Sequence, residues 1–219
     1  MIRSNYEREL KELHIEIIKM GSFIEKAIED SITAFKNNDL ELCEEIIARD
    51  KRIDEIEKII ESKCLWLIAR EQPIASDLRS ITTALKMITD MERIGDNAAD
   101  IAELTMRIAD KNVFSGSVHI PQMASIVISM VNNAVSSFVN ADLELAKQTE
   151  ESDDEVDEFF NAVKKELVAV FKRDEKDMDN AIDYLLIAKY LERIADHAVN
   201  ICEWVEFSKT GKHKNTKIF

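Results

Sequence analysis

Apolar residues recur at threes and fours along most of the chain. Leu10, Leu13, Ile17, Met20, Ile24, Ile28 and Ile32 form one such stripe, which predicts an amphipathic helix from Tyr6 to Lys36. Asn37, Asn38 and Asp39 follow it with turn chemistry. A second stripe, Ile46, Ile53, Ile56, Ile60 and Leu67, predicts a helix from Leu40 to Ala69. Pro73 ends it, because the residue before a proline is pushed out of the helical region. A third helix is predicted from Ile74 to Asp110. The non-periodic stretch from Asn112 to Pro121, with Gly116 inside it, then reads as a boundary. Beyond it the pattern resumes, with helices expected over Gln122–Asn140, Leu143–Phe171 and Lys176–Phe207, and a short turn at Arg173-Asp174.

The second half repeats the first. Met91-Glu92-Arg93-Ile94-Gly95-Asp96 returns 100 residues later as Leu191-Glu192-Arg193-Ile194-Ala195-Asp196, and Ala98, Ile101 and Glu103 return as Ala198, Ile201 and Glu203. Phe35 and Asp39-Leu40-Glu41-Leu42 return 103 residues later as Phe138 and Asp142-Leu143-Glu144-Leu145. The expected fold is therefore all-α: two tandem three-helix bundles, six long antiparallel helices joined by short turns. Residues 1–111 form the first repeat, 112–121 a linker, 122–208 the second repeat and 209–219 a basic tail, expected to fray.

The repeat also exposes paired acids. Glu92 and Asp96 are four residues apart, so on a helix they lie roughly 40° apart on one face, flanked by Leu85, Ile88 and Ala99. Glu192 and Asp196 are flanked likewise by Leu185, Ala188 and Val199. On the preceding helix of each half, Asp50 and Asp54 correspond to Asp153 and Asp157, and Glu57 joins the first pair. Asp100 and Asn200 extend the faces by one turn. In each half four carboxylates inside the apolar stripes of two neighbouring helices can converge. Two carboxylates about 4 Å apart repel by roughly 4 kcal/mol at an effective dielectric near 20, so convergence calls for protons or a cation. Arg93 and Arg193 point about 100° away from their glutamates, and His197 has only Asn97 opposite it in the first half. A bound metal is the simpler counter-charge, and oxygen-only ligands suit Mg, Ca, Mn, Fe or Zn.

Composition narrows the function. With 29 Lys and Arg against 43 Asp and Glu, the net charge of -14 disfavours nucleic acid and anionic membrane surfaces. The apolar window Met123–Val139 is interrupted by Ser125, Ser129, Asn132 and Asn133, so no direct membrane insertion is expected, and no signal segment follows Met1. Cys43, Cys64 and Cys202 are isolated, as expected of core residues in a cytoplasmic protein. Trp66 and Trp204 lie in helical stripes, as core or interface residues. No Gly-rich phosphate loop, Cys–His pair or nucleophile elbow is present, so no enzyme is expected.

Leu191-Glu192-Arg193-Ile194-Ala195-Asp196-His197-Ala198-Val199-Asn200-Ile201, its partner from Met91, and Gln72-Pro73-Ile74-Ala75-Ser76-Asp77-Leu78-Arg79 together resemble the PhoU family of phosphate-signalling regulators. The resemblance implies two three-helix bundles in tandem. It also implies multinuclear metal clusters on the acidic motifs, here Asp50, Asp54, Glu92 and Asp96, then Asp153, Asp157, Glu192 and Asp196. It further implies a negative regulator of the phosphate-starvation response, bound to a sensor histidine kinase and to the ATPase of a phosphate ABC transporter. A homo-oligomer, as a dimer, is expected. Ala195 departs from the glycine usual in the family, so a looser helix approach is expected there. An accessory protein of another phosphate or cation transporter is the alternative. A ferritin-like carboxylate enzyme is disfavoured, because that class uses Glu-x-x-His and no Glu stands three residues before a His here.

Overall fold

The computed structural model describes residues 2–108, 119–171, 178–213 and 216–217. Its helices are α1 (Ile2–Asn37), α2 (Leu40–Glu71), α3 (Ala75–Arg107), α4 (His119–Asn140), α5 (Leu143–Glu151), α6 (Asp153–Phe171) and α7 (Met178–Thr210), followed by strands β1 (Lys212–His213) and β2 (Thr216–Lys217). The predicted linker falls mostly on residues 109–118, and the predicted turn at Arg173-Asp174 likewise lies outside the described residues.

The same turn opens the second helix of each half. Asp39 accepts from Leu42 N at 3.0 Å, and Asp142 accepts from Glu144 N and Leu145 N at 3.1 and 3.0 Å. Each satisfies amide groups that a helix start leaves without intrahelical partners. The residue before each cap is left-handed, Asn38 at φ 49° and Ala141 at φ 55°. The amides of Asp39 and Asp142 bond back to Ala34 O and Ser137 O at 3.0 and 2.8 Å.

α1, α2 and α3 pack together, as do α4, α6 and α7, with α5 against α4 and α7. The halves meet chiefly along α3 and α7, and also along α1 and α4. One continuous core results: Leu13, Ile17, Met20, Met87, Ile94, Met130, Ile187 and Ile194 belong to a single cluster crossing both repeats. Cys43, Cys64 and Cys202 are buried and unpaired by disulfides.

Three expectations are corrected. The predicted fifth helix is two: Ser152 interrupts it, its hydroxyl donating to Gln148 O at 3.0 Å. Such back-bonding bends helices, and Glu150, Glu151, Asp153, Asp154 and Glu155 crowd like charge at the break. Helix four begins at His119, so Pro121 sits in its first turn, where a missing N–H costs nothing. The tail does not fray at Ser208. α7 runs to Thr210, Gly211 (φ 71°) closes it with a bond to Phe207 O at 2.8 Å, and β1 pairs antiparallel with β2. His213 then stacks on Trp204 at 3.9 Å between ring centroids.

α4 is the one helix among the described residues long and apolar enough to cross a membrane by length and composition, with 50% of that window buried. It packs against α1, α6 and α7.

Candidate metal centre

α2 and α3 bring the first set of acids together at a point of close backbone approach. A Cβ on Gly95 would meet Ile53 Cδ1 at 2.8 Å and Asp50 Oδ1 at 3.4 Å. A side chain there would force the isoleucine to shift. One carboxylate oxygen from each of Asp50, Asp54 and Asp96 then lies within 4.8 Å of the others. Among the described residues, no other three His, Cys, Asp or Glu side chains are grouped so tightly.

The acids do not all sit within the core, as the stripes suggested. Asp50, Asp54, Glu92, Asp153 and Glu192 are half-buried, while Asp96, Asp157 and Asp196 are exposed. Both clusters thus lie at the rims of their helix pairs, open to solvent ions. Partial burial still penalises charge. Burial, with Asp96, Asp54 and Asp100 nearby, pushes Asp50 up to about 6. Burial, with Asp96, Glu57 and Asp54, pushes Glu92 up to about 7 against the weaker pull of Arg93. Asp96 is raised by burial and then by Asp54 and Asp100.

In the second half, burial and then Asp196, Asp157 and Glu192 push Asp153 up to about 6. Asp196 is raised by burial and Glu192, with Lys189 and His197 opposing. The acids share one field, but they do not close to a three-oxygen group like that of Asp50, Asp54 and Asp96.

The first cluster fits a cation. Asp50 Oδ1 is buried and has no hydrogen-bond donor, a costly state for a carboxylate oxygen. Its neighbours Asp54 and Asp96 are also acceptors when ionised, so a positive ion would satisfy all three. Asp50, Asp54 and Asp96 would hold such an ion, with Glu92 and Glu57 beside them, and the ion would supply the charge that the helices do not.

Some functional groups were not legible in the repeat. His197 Nδ1 lies 2.8 Å from Asp90 Oδ1, and Asn200 donates to the same oxygen at 3.3 Å. His197 thus bonds across the seam between α3 and α7 while also acting on Asp196 of the second cluster. Arg107 bridges to Asp183 at 3.1 Å, and Thr83 donates to Trp204 O at 3.2 Å across the same seam. The acids Asp90 and Asp183 are buried. Asp90 matches Tyr190 in the repeat and Asp183 matches Thr83, so comparing the halves hides the polar pairs. Their only sequence signal is an acid on an apolar face. Trp66 is 38% exposed, with the Arg70 guanidinium 5.0 Å from its ring centroid, and is not a core residue.

The PhoU domain family matches the chain over residues 17–105 and 120–205, which include both acidic motifs. The chain belongs to the PhoU family. It is 38% identical over 213 residues to the "Phosphate-specific transport system accessory protein PhoU homolog" of Clostridium acetobutylicum, covering 97% of each chain. It is 38% identical over 186 residues to the Aquifex aeolicus protein of the same name, covering 85% of this chain and 84% of that one. A crystal structure of PhoU from Pseudomonas aeruginosa superposes with a TM-score of 0.89 at 31% identity, covering 94% of this chain and 100% of the other. The "phosphate transport system regulatory protein PhoU" of Streptococcus pneumoniae gives a TM-score of 0.89 at 29% identity, covering 95% and 98%.

Proposed function

We propose that this PhoU family member is a cytoplasmic regulatory accessory protein of a phosphate-specific transport system. It couples the transporter's ATPase to a sensor histidine kinase by protein binding and restrains the phosphate-starvation response. The observation that carries this reading is the near full-length similarity to proteins named for that transport system, 38% over 97% of both chains. It favours phosphate transport over another carrier. Long helices offering extended faces and a net charge of -14 suit protein partners over nucleic acid.

Divalent or trivalent cations on Asp50, Asp54, Glu92 and Asp96, and on Asp153, Asp157, Glu192 and Asp196, belong to the same proposal. The unpartnered Asp50 oxygen supports the first set. Bound ions would fix α2 against α3 and lower the negative field that a partner meets.

The test is genetic. Deleting the chain in its own host should leave phosphate-starvation genes expressed when phosphate is plentiful, and a surface variant that keeps its metal and fold but loses kinase binding should do the same. Normal repression in the deletion strain, with no related copy in the genome, would refute the regulator reading.

A further inference from the structure

The two carboxylate sets differ most at their outer ends, where the repeat exchanges charge. Glu57 and Glu61 on α2 correspond to Phe160 and Lys164 on α6, and Thr89 on α3 corresponds to Lys189 on α7. In the first half, the Thr89 hydroxyl bonds Glu57, which shares the electrostatic field of Glu61 and Asp54. In the second half, the Lys189 and Lys164 ammonium groups each stand 5.7 Å from the Phe160 ring centroid, and Lys189 bridges to Glu192. Further along the motif helices, Asp100 is replaced by Asn200 and Asn97 by His197. Exchanges also run the other way, Lys51 to Asp154, Arg52 to Glu155, Lys58 to Asn161 and Lys63 to Glu166, the first three between exposed positions.

We propose that the clusters load unequally: the Asp50, Asp54, Glu92 and Asp96 set takes divalent cations first, and Lys189 is a resident counter-ion that holds Glu192 in place of one. The inference rests on the cation reading above. Glu92 has no such partner. The cationic group that acts on it is Arg93, which acts on Asp96 as well. A cation approaching Glu92 therefore meets carboxylates with Arg93 acting only through space, whereas one approaching Glu192 must displace or tolerate an ammonium group bridged to it. Electrostatic repulsion between like charges at such range weakens binding strongly where solvent is partly excluded. The three-oxygen convergence of Asp50, Asp54 and Asp96 favours the first set in geometry as well.

The experiment is a manganese(II) titration of chelator-stripped full-length protein, with free ion counted by its electron paramagnetic resonance signal. Wild type should show a tight and a weak class of site, and Asp54→Asn should remove the tight class. Lys189→Thr changes an exposed side chain and should fold as wild type. It should tighten the weak class by roughly tenfold or more. Thr89→Lys should loosen the tight class. Two equal classes in wild type, or a Lys189→Thr titration superimposable on wild type, would overturn the inequality while leaving cation binding intact. No binding by wild type would instead remove the cation reading on which it rests.

Discussion

In the first half, α2 runs unbroken through Asp50 and Asp54, with Lys51 and Arg52 between them and Arg49 just before. In the second half, the corresponding helix breaks at Ser152, and Asp153 begins a new one amid a run of acids. The packing beneath differs in a compensating way. Gly95 faces Ile53; their counterparts are Ala195 and Val156, both fully buried. One methyl is added on the motif helix and one removed from its neighbour. The departure at Ala195, expected to loosen the approach, thus has a partner change 39 residues earlier that restores the volume. At this contact the volume is held almost constant, because interiors are close-packed and feel a single methylene. Charge at the rim differs between the halves, because half-exposed positions carry no such packing constraint.

That comparison is sharpest at Gly95. Gly95→Ala should destabilise the protein by about 1 kcal/mol, since overpacking costs ~1–3 kcal/mol and the helix gain over glycine is at most ~1 kcal/mol. Ile53 Cδ1 can turn about χ2, but Cγ2, at 3.2 Å, is held by the stiff χ1 of a buried residue. Adding Ile53→Val should reverse the loss, and a double-mutant cycle from urea melts would read the coupling. Gly95→Ala stabilising by itself would show that the close approach is not held as described.

The next effect is pH dependence without metal. Asp50, Glu92 and Asp153 are raised to about 6, 7 and 6, so the folded chain holds protons that the unfolded chain has released. Where the native state binds more protons, stability falls as pH rises. Metal-free protein should therefore lose stability between the ordinary carboxylate range near ~4 and about 7, and a divalent cation should restore it at the upper end. Chemical denaturation at stepped pH, with and without manganese(II), checks both. A metal-free stability that increases over this interval would contradict the shifts.

The smallest effect concerns the shared turn. Ala141 occupies the left-handed position that Asn38 fills in the first half. Asparagine tolerates this conformation better than alanine, so Ala141→Asn should stabilise by ~0.5–1 kcal/mol, seen as a rise in melting temperature. Asn38→Ala should cost a similar amount. A destabilised Ala141→Asn would mean that the turn is selected for something other than its backbone.

Much of this organisation was legible in the residues. Heptad-like apolar spacing marks the long helices because each buries one continuous stripe, and Asp39 and Asp142 mark the turns because a cap needs a short acceptor. The eight acids were legible through the repeat, whose two offsets align them pairwise. The break at Ser152 was not, since periodicity continues across it; it comes from a hydroxyl-to-carbonyl bond and crowded charge. Asp90, His197 and Asn200 were hidden because they bind across α3 and α7, where unlike residues face each other. Nor does spacing tell how deep an acid lies: Asp96 and Asp196 hold helical positions like those of their buried neighbours, yet the packed partners leave them at the surface.

Cation binding by the carboxylates of α2 and α3 is the part of the proposal most open to direct measurement. Elemental analysis of protein purified without chelator, wild type beside Glu92→Ala/Asp96→Ala, tests this most directly. Metal should accompany the wild type. The variant should keep its helical circular dichroism and lose at least about half of that metal, since removing ligands removes affinity. Wild-type protein free of metal, or a variant that retains all of it, would contradict the account.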